Sequence, residues 1–177
     1  ILKLLMRHWD PVSGRVSYSG HDARELTSSS LRDHIAIMDQ DTYLFRESVR
    51  ANLSEAKPLA SEAEMWTALG KAAADTFVKG LKDGLDTVID PDALNISSGE
   101  RQRLGLARLF LRQPGLILLD EPTSNVDSLN EQMMLRSIKE CARESCVLLV
   151  SHRLSTVRLA TASYRLETGH LAKEKGR

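Results

Sequence analysis

Two short apolar runs constrain the fold of this chain more than any other feature. Leu116, Ile117, Leu118 and Leu119 form the first, and Val147, Leu148, Leu149 and Val150 the second. Each is the length of a strand, and the stretch 128–143 between them has the pattern of an amphipathic helix. Strands buried on both faces read as continuous apolar runs, and a crossover helix joining two of them makes the pair parallel. An α/β domain built on a parallel sheet is therefore expected. Open sheets of this kind bind ligands outside the carboxyl ends of their strands, so the residues that follow each run decide the chemistry.

After the first run come Asp120, Glu121, Pro122 and Thr123. The first carboxylate suits Mg²⁺, usually through water, and the second suits polarising a water for attack on a phosphate. The same composition also fits a strand that ends in a helix cap. After the second run come Ser151, His152 and Arg153. A histidine at this edge can hydrogen-bond a terminal phosphate, although a lone histidine is more often structural. A further short strand, Ile35–Met38, runs into Asp39, Gln40 and Asp41. Gln40 can coordinate Mg²⁺ or contact the attacking water. Ser97, Ser98, Gly99 and Glu100 open a helix that carries Leu104, Ala107 and Leu111 on one face. Small residues with free amides at a helix start attract anions. Ser97 followed by Glu100 is equally an ordinary capping box.

The remaining sequence narrows the class. A chain of 177 residues fits one domain, and 24 basic residues against 24 acidic ones leave no formal net charge. Nothing in that balance calls for nucleic acid or an anionic membrane surface as the main partner. Cys141 and Cys146 are too few for a disulfide framework or a zinc site. No apolar run approaches the ~18 residues that cross a bilayer. Ile1, Leu2, Leu4, Leu5, Met6 and Trp9 are dense enough for a buried helix, entered part-way, so the chain reads as a piece of a longer protein rather than as a signal peptide. Val16, Ser17 and Tyr18 alternate like a strand that stops at Ser19 and Gly20. Residues 46–82 read as helical with breaks at Pro58, Gly70 and Gly80, and Lys173, Lys175 and Arg177 as a frayed tail.

In their order and spacing these elements resemble the nucleotide-binding domain of the ATP-binding cassette (ABC) family. Gln40 matches the Q-loop, and Ile96, Ser97, Ser98, Gly99 and Glu100 the family signature. The run 116–120 matches the Walker B strand, Glu121 the catalytic carboxylate, Ser124 to Asp127 the D-loop and His152 the H-loop. The resemblance covers essentially the whole chain. It implies a P-loop NTPase fold with a RecA-like parallel-sheet core, a small antiparallel β portion near 15–38 and an inserted α-helical subdomain near 46–112, all within one domain of residues 1–177.

It also implies Mg²⁺-dependent ATP hydrolysis. Glu121 and His152 would be catalytic, as general base and γ-phosphate sensor. Gln40, Ser97, Ser98, Gly99, Glu100, Asp120 and Asp127 would bind the nucleotide, with Gln40 and Asp120 as Mg²⁺ ligands, partly through water. Ser30-Leu31-Arg32, Leu44-Phe45, the stretch 48–53 and Gly84-Leu85-Asp86-Thr87 look like the exporter type. That type implies a second nucleotide-binding domain arranged head to tail, in a homo- or heterodimer. It implies a transmembrane domain fused upstream, a place on the cytoplasmic side of a membrane, and no nucleic acid. A coupling helix of the membrane domain would dock around Tyr43, Leu44, Phe45 and Arg46.

The sequence departs from the family pattern in three places. No Gly-x-x-x-x-Gly-Lys-Ser/Thr stretch occurs, although the family places one just before the helix that residues 1–9 resemble. Without that phosphate cradle the chain alone is expected to bind ATP poorly. Without the strand that precedes the cradle, strands 116–119 and 146–150 are expected to border an unfilled slot. The signature, Leu-Ser-Gly-Gly-Gln in the family, has Ile96, Ser98 and Glu100 here, which adds a side chain and a negative charge near the γ-phosphate. The acidic, glycine-rich loop before it is altered to Asp90-Pro91-Asp92-Ala93. Two rivals are a non-transport ATPase of the same class and a non-catalytic partner subunit. The compact stretch between Gln40 and Ser97 leaves no room for the long insertions typical of the first, and the presence of Glu121 and His152 argues against the second.

Overall fold

A computed structural model of the chain describes residues 1–90, 95–124 and 126–174. Residues 91–94 (which include all of the altered loop but Asp90), one D-loop position and the last three residues lie outside the described residues. In chain order the elements are α1 (Leu2–Leu5), β1 (Ser17–Tyr18), β2 (His21–Asp22), α2 (Ser28–His34) and β3 (Ile35–Met38). Then come α3 (Val49–Ser54), α4 (Glu62–Lys71), α5 (Asp75–Gly80) and α6 (Ser98–Arg112). The last are β4 (Leu116–Asp120), α7 (Ser128–Cys141), β5 (Cys146–Val150), α8 (Leu154–Val157), β6 (Tyr164–Glu167) and β7 (His170–Lys173).

A three-stranded sheet in the order β3-β4-β5, parallel throughout, positions the site. β4 is central, and Ile117, Leu118 and Leu119 are no more than 1% exposed, as a run apolar on both faces requires. β5 is only half-buried. β4 pairs with β3 from Leu116 opposite Ile35 and with β5 from Leu116 opposite Cys146 to Asp120 opposite Val150. Both edges of β4 are therefore occupied, so no slot borders 116–119, whereas among the described residues β5 pairs only with β4 and its other edge carries no strand. Ile35–Met38 likewise belongs to the parallel sheet, because its buried apolar run needs cover on both faces. The antiparallel portion shrinks to the β1–β2 hairpin.

One core joins α3, α4, α5 and α6 to one face of the sheet. α6 contributes more to it than any other element, with Leu104, Leu106, Ala107, Leu109, Phe110 and Leu111 buried. Serine and threonine side chains start these helices: Thr27 caps α2, Ser48 caps α3, and Ser61 with Glu64 forms a capping box on α4. The expected break at Gly70 falls at the end of α4, which stops one residue later at Lys71. The buried contacts of Met65, Ala68 and Leu69 outweigh the ~1 kcal/mol that one helical glycine costs relative to alanine.

Two segments differ from the sequence reading. α1 is a single turn with only Leu2 buried, while Ile1 and Trp9 are 51% and 62% exposed. Arg7 ends it by taking a left-handed backbone (φ 52°), from which its Nη1 donates to the carbonyls of Ala23 (3.0 Å) and Leu26 (2.7 Å). Of the expected tail, Lys173 is instead the last residue of the exposed hairpin β6–β7, paired with Tyr164, while Lys175 and Arg177 lie outside the described residues.

Candidate functional site

Asp120 and Glu121 leave β4 in opposite fashion. Asp120 completes the strand opposite Val150. Glu121 then takes a left-handed backbone, φ 45°, while its N–H still donates to the Val150 carbonyl at 2.9 Å. A non-glycine residue held at positive φ costs about 1–3 kcal/mol and persists only when its surroundings fix it. Here they do. The Glu121 carboxylate accepts the His152 backbone N–H at 3.0 Å and lies 2.7 Å from the His152 Nδ1, both on Oε1. The Ser151 hydroxyl donates to Oε2 at 3.3 Å. The Glu121 side chain is 18% exposed and the His152 ring 75%, so the carboxylate is sheltered and the ring faces outward. The end of β5 thus orients the residue at the end of β4, and the two sequence-identified residues meet.

Gln40 and Asp120 come to the same edge through the parallel register, in which Met38 pairs with Leu119. Among the described residues the Asp120 carboxylate has no hydrogen-bond or ion-pair partner, and the Gln40 side chain is exposed and likewise unpaired. The Gln40 backbone is held: Gln102 Nε2 donates to its carbonyl at 2.7 Å. Two uncommitted oxygen donors suit a hard cation that takes its other ligands from phosphates and water, as Mg²⁺ does. Among the described residues no cluster of three or more His, Cys, Asp and Glu forms a self-sufficient metal site.

The start of α6 is a complete capping box. Ser97 Oγ accepts the Glu100 N–H at 3.3 Å, and Glu100 Oε2 accepts the Ser97 N–H at 2.7 Å and its hydroxyl at 2.8 Å. The Glu100 carboxylate is thereby turned back on its own helix. Gly99 is buried against Asn130, and a Cβ there would sit 2.7 Å from Asn130 Cγ and Nδ2. Asp127 caps α7, its Oδ1 accepting the Leu129 and Asn130 N–H groups at 3.0 Å each and its Oδ2 accepting Asn130 Nδ2 at 2.5 Å. Those bonds, the Asn130 ones foremost, hold the Asp127 carboxyl below the usual aspartate range.

Sequence reading alone missed the residues that brace these loops. Gln102 is 3% exposed and accepts the Thr42 hydroxyl at 2.6 Å while holding Gln40. Arg153 bonds Glu131 at 2.6 Å and the Ser124 carbonyl at 3.1 Å, fixing the entry to α7. The only signal in the sequence was a glutamine or an arginine on an otherwise apolar helix face or loop, with partners far along the chain. In the expected docking stretch, Tyr43 and Phe45 are 67% and 37% exposed, with perpendicular rings 5.2 Å apart. Leu44 corrects the expectation: it is 1% exposed, part of the domain's own core. Asn52 bonds the Phe45 N–H at 2.8 Å, which fixes the backbone with Leu44 inward and its neighbours outward.

The parallel sheet carries an acidic pair at the carboxyl edge of its central strand and a serine–histidine pair beside it, and comparison with a solved structure assigns it the P-loop NTPase fold. The solved "Structure of a bacterial Atm1-family ABC exporter with ATP bound" superposes with a TM-score of 0.90 at 34% identity, covering 97% of this chain and 30% of that one. The ABC transporter family model matches residues 1–124, and the chain belongs to that family. It is 41% identical over 97% of its length to a probable ABC transporter ATP-binding/permease protein of Haemophilus influenzae, covering 31% of that relative. It is 37% identical to the ABC transporter ATM1 of Toxoplasma gondii, over 98% of this chain and 15% of that one. The chain therefore spans less than a third of the length of these relatives.

Proposed function

We propose that the chain is the ATP-binding and ATP-hydrolysing domain of an ABC exporter, on the cytoplasmic side of a membrane, and that hydrolysis drives a solute across that membrane. The observation that carries this reading is the Glu121 carboxylate, placed next to Asp120 and fixed by Ser151 and His152. Glu121 accepts the proton of the attacking water as that water adds to the γ-phosphorus and ADP leaves. His152 keeps Nδ1 on Glu121, which leaves its exposed ring edge for the γ-phosphate. Asp120 and Gln40 would hold Mg²⁺, which supplies charge neutralisation at the phosphates. Ser97, Ser98, Gly99 and Glu100, with Asp127, face the nucleotide of a second domain arranged head to tail.

The helical segment near 46–112 acts as the subdomain that meets the membrane part. Tyr43 and Phe45, just before that segment, form the docking surface, with Arg108 of α6 stacked over Phe45 at 5.7 Å and bonded to the Tyr43 carbonyl at 2.7 Å. No Gly-x-x-x-x-Gly-Lys-Ser/Thr loop occurs in the chain, so the test belongs in a complete exporter carrying this domain. Steady-state Mg-ATP hydrolysis by Glu121→Gln should fall by at least ~10²-fold, the usual size of a lost general base. Turnover at the wild-type rate would remove Glu121 from the mechanism and with it the reading.

A further inference from the structure

Asn130, in the first turn of α7, touches both loops that are proposed to face the second domain's nucleotide. Its Nδ2 donates to Asp127 Oδ2 at 2.5 Å. Its Oδ1 accepts from Arg103 Nη1 on α6. Its side chain also fills the space that the missing Cβ of Gly99 leaves open. We infer that Asn130 is a positioning residue that fixes the Asp127 turn to the signature turn, so that the starts of α6 and α7 move as one unit.

The chemistry at this point admits few other side chains. A carboxamide has an acceptor and two donors on one short stem. Asn130 can therefore accept from a cation and donate to a carboxylate at once. Aspartate would keep the acceptor and lose the donor. Alanine would lose both, and glutamine is a methylene too long for the space above Gly99. Among the described residues Arg103 has little else to bond: it is 7% exposed, its Nη1 otherwise meets only the Met133 sulfur at 3.6 Å, and its Nε is buried without a partner. Its guanidinium lies 5.6 Å over the Phe77 ring of α5, which extends the link from the D-loop turn into the helical segment. A buried cation whose hydrogen bonds are this few holds its partner firmly, because losing the bond leaves the charge unsatisfied. Asp127 is tied by the same residue twice, through the Asn130 backbone and through its side chain.

The catalytic consequence rests on the proposed function, whereas the positioning itself does not, and the test separates them. Asn130→Asp keeps the size of the side chain, the packing on Gly99 and the acceptor for Arg103, and replaces the donor to Asp127 by a second carboxylate that repels it. Hydrogen exchange is measured on the domain with and without the substitution. The Leu129 and Asn130 amides, which bond Asp127 Oδ1, should exchange about tenfold faster in Asn130→Asp, while amides in the interior of α6 keep their rates. In a complete exporter the same variant should lower kcat about tenfold, with KM for ATP within about twofold of wild type, as expected for lost positioning rather than lost binding. Asn130→Ala should lower kcat at least as far. Wild-type exchange at 129 and 130, or a wild-type kcat in Asn130→Asp beside a defective Asn130→Ala, would show that Asn130 only fills space and overturn the inference. Undiminished hydrolysis in a parallel Glu121→Gln control would sink the functional reading and leave the exchange result to decide the positioning.

Discussion

Gly105 lies in the middle of α6, facing the segment that follows β3, and replacing it with alanine tests how tightly that segment is held. A Cβ at Gly105 would sit 2.7 Å from Thr42 Cγ2 and 2.9 Å from Oγ1, closer than any real contact. Thr42 cannot simply swing away, because its hydroxyl donates to Gln102 Oε1 at 2.6 Å and Gln102 in turn holds the Gln40 carbonyl at 2.7 Å. Overpacking of this kind costs about 1–3 kcal/mol. A buried glutamine that loses its partner adds about 1–3 kcal/mol. The higher helix propensity of alanine returns about 1 kcal/mol.

The net loss from Gly105→Ala is about 1–5 kcal/mol, or a few to ~20 °C in Tm at about 2–4 °C per kcal/mol. Gly70 supplies the control. It is also helical, with nothing within 4 Å of an added Cβ, so Gly70→Ala should gain up to ~1 kcal/mol. Differential scanning calorimetry on the two variants and on Gly105→Ala/Thr42→Ala reads all three. The double variant should recover part of the loss, because removing the Thr42 branch removes the clash. A Gly105→Ala protein as stable as Gly70→Ala, or a double variant whose losses simply add, would refute the tight packing of Thr42 on α6.

Leu44 and Phe45 should behave as opposites despite being adjacent. Leu44→Ser should destabilise the domain by ~2–5 kcal/mol or more, since it empties a core position that is 1% exposed. Phe45→Ser should leave Tm within ~2 °C of wild type but lower transport per ATP hydrolysed in a complete exporter, and full coupling in that variant would dismiss Phe45 as a docking residue. Acid should act on the capping box of α4. Lys57, then the Ser61 backbone and hydroxyl, pull the Glu64 pKa from 4.5 to about 2. A carboxyl depressed by folding stabilises above its unfolded pKa and loses that contribution as pH falls through the folded one. The Tm advantage of wild type over Glu64→Gln should therefore be full at pH 6, shrink below about 4.5 and vanish near 2. A gap independent of pH would mean that the charge of Glu64 contributes nothing.

What could be read from the sequence follows from how local each signal is. β4 and its acidic pair were legible because six consecutive residues, 116–121, carry both the strand and the site, and β5 with His152 close behind it is similar. The capping box at Ser97 was legible for the same reason, since its partners are three residues apart. The links that Asn130 makes to Arg103 and Gln102 to Gln40 were not, because those partners lie 27 and 62 residues away and a single polar residue on a helix carries no period. The β6–β7 hairpin was missed because every residue in it is exposed, which removes the apolar alternation that marks a strand. Its turn did leave a trace: Thr168 and Gly169 both take positive φ, 49° and 83°, as a tight two-residue hairpin turn requires. Leu44 was assigned to the surface along with its aromatic neighbours, because the bond from Asn52 that turns it inward cannot be seen in composition.

The central claim is that Glu121 activates water at a nucleotide site, and the identity of the nucleotide held after turnover tests it most directly. A complete exporter carrying this domain with Glu121→Gln is incubated with Mg-ATP, freed of unbound nucleotide and denatured, and the released nucleotide is identified by chromatography. ATP retained in near-stoichiometric amount, where the wild type yields ADP or nothing, is the result expected of a site that binds but has lost its base. ADP recovered from Glu121→Gln as readily as from wild type would contradict the account.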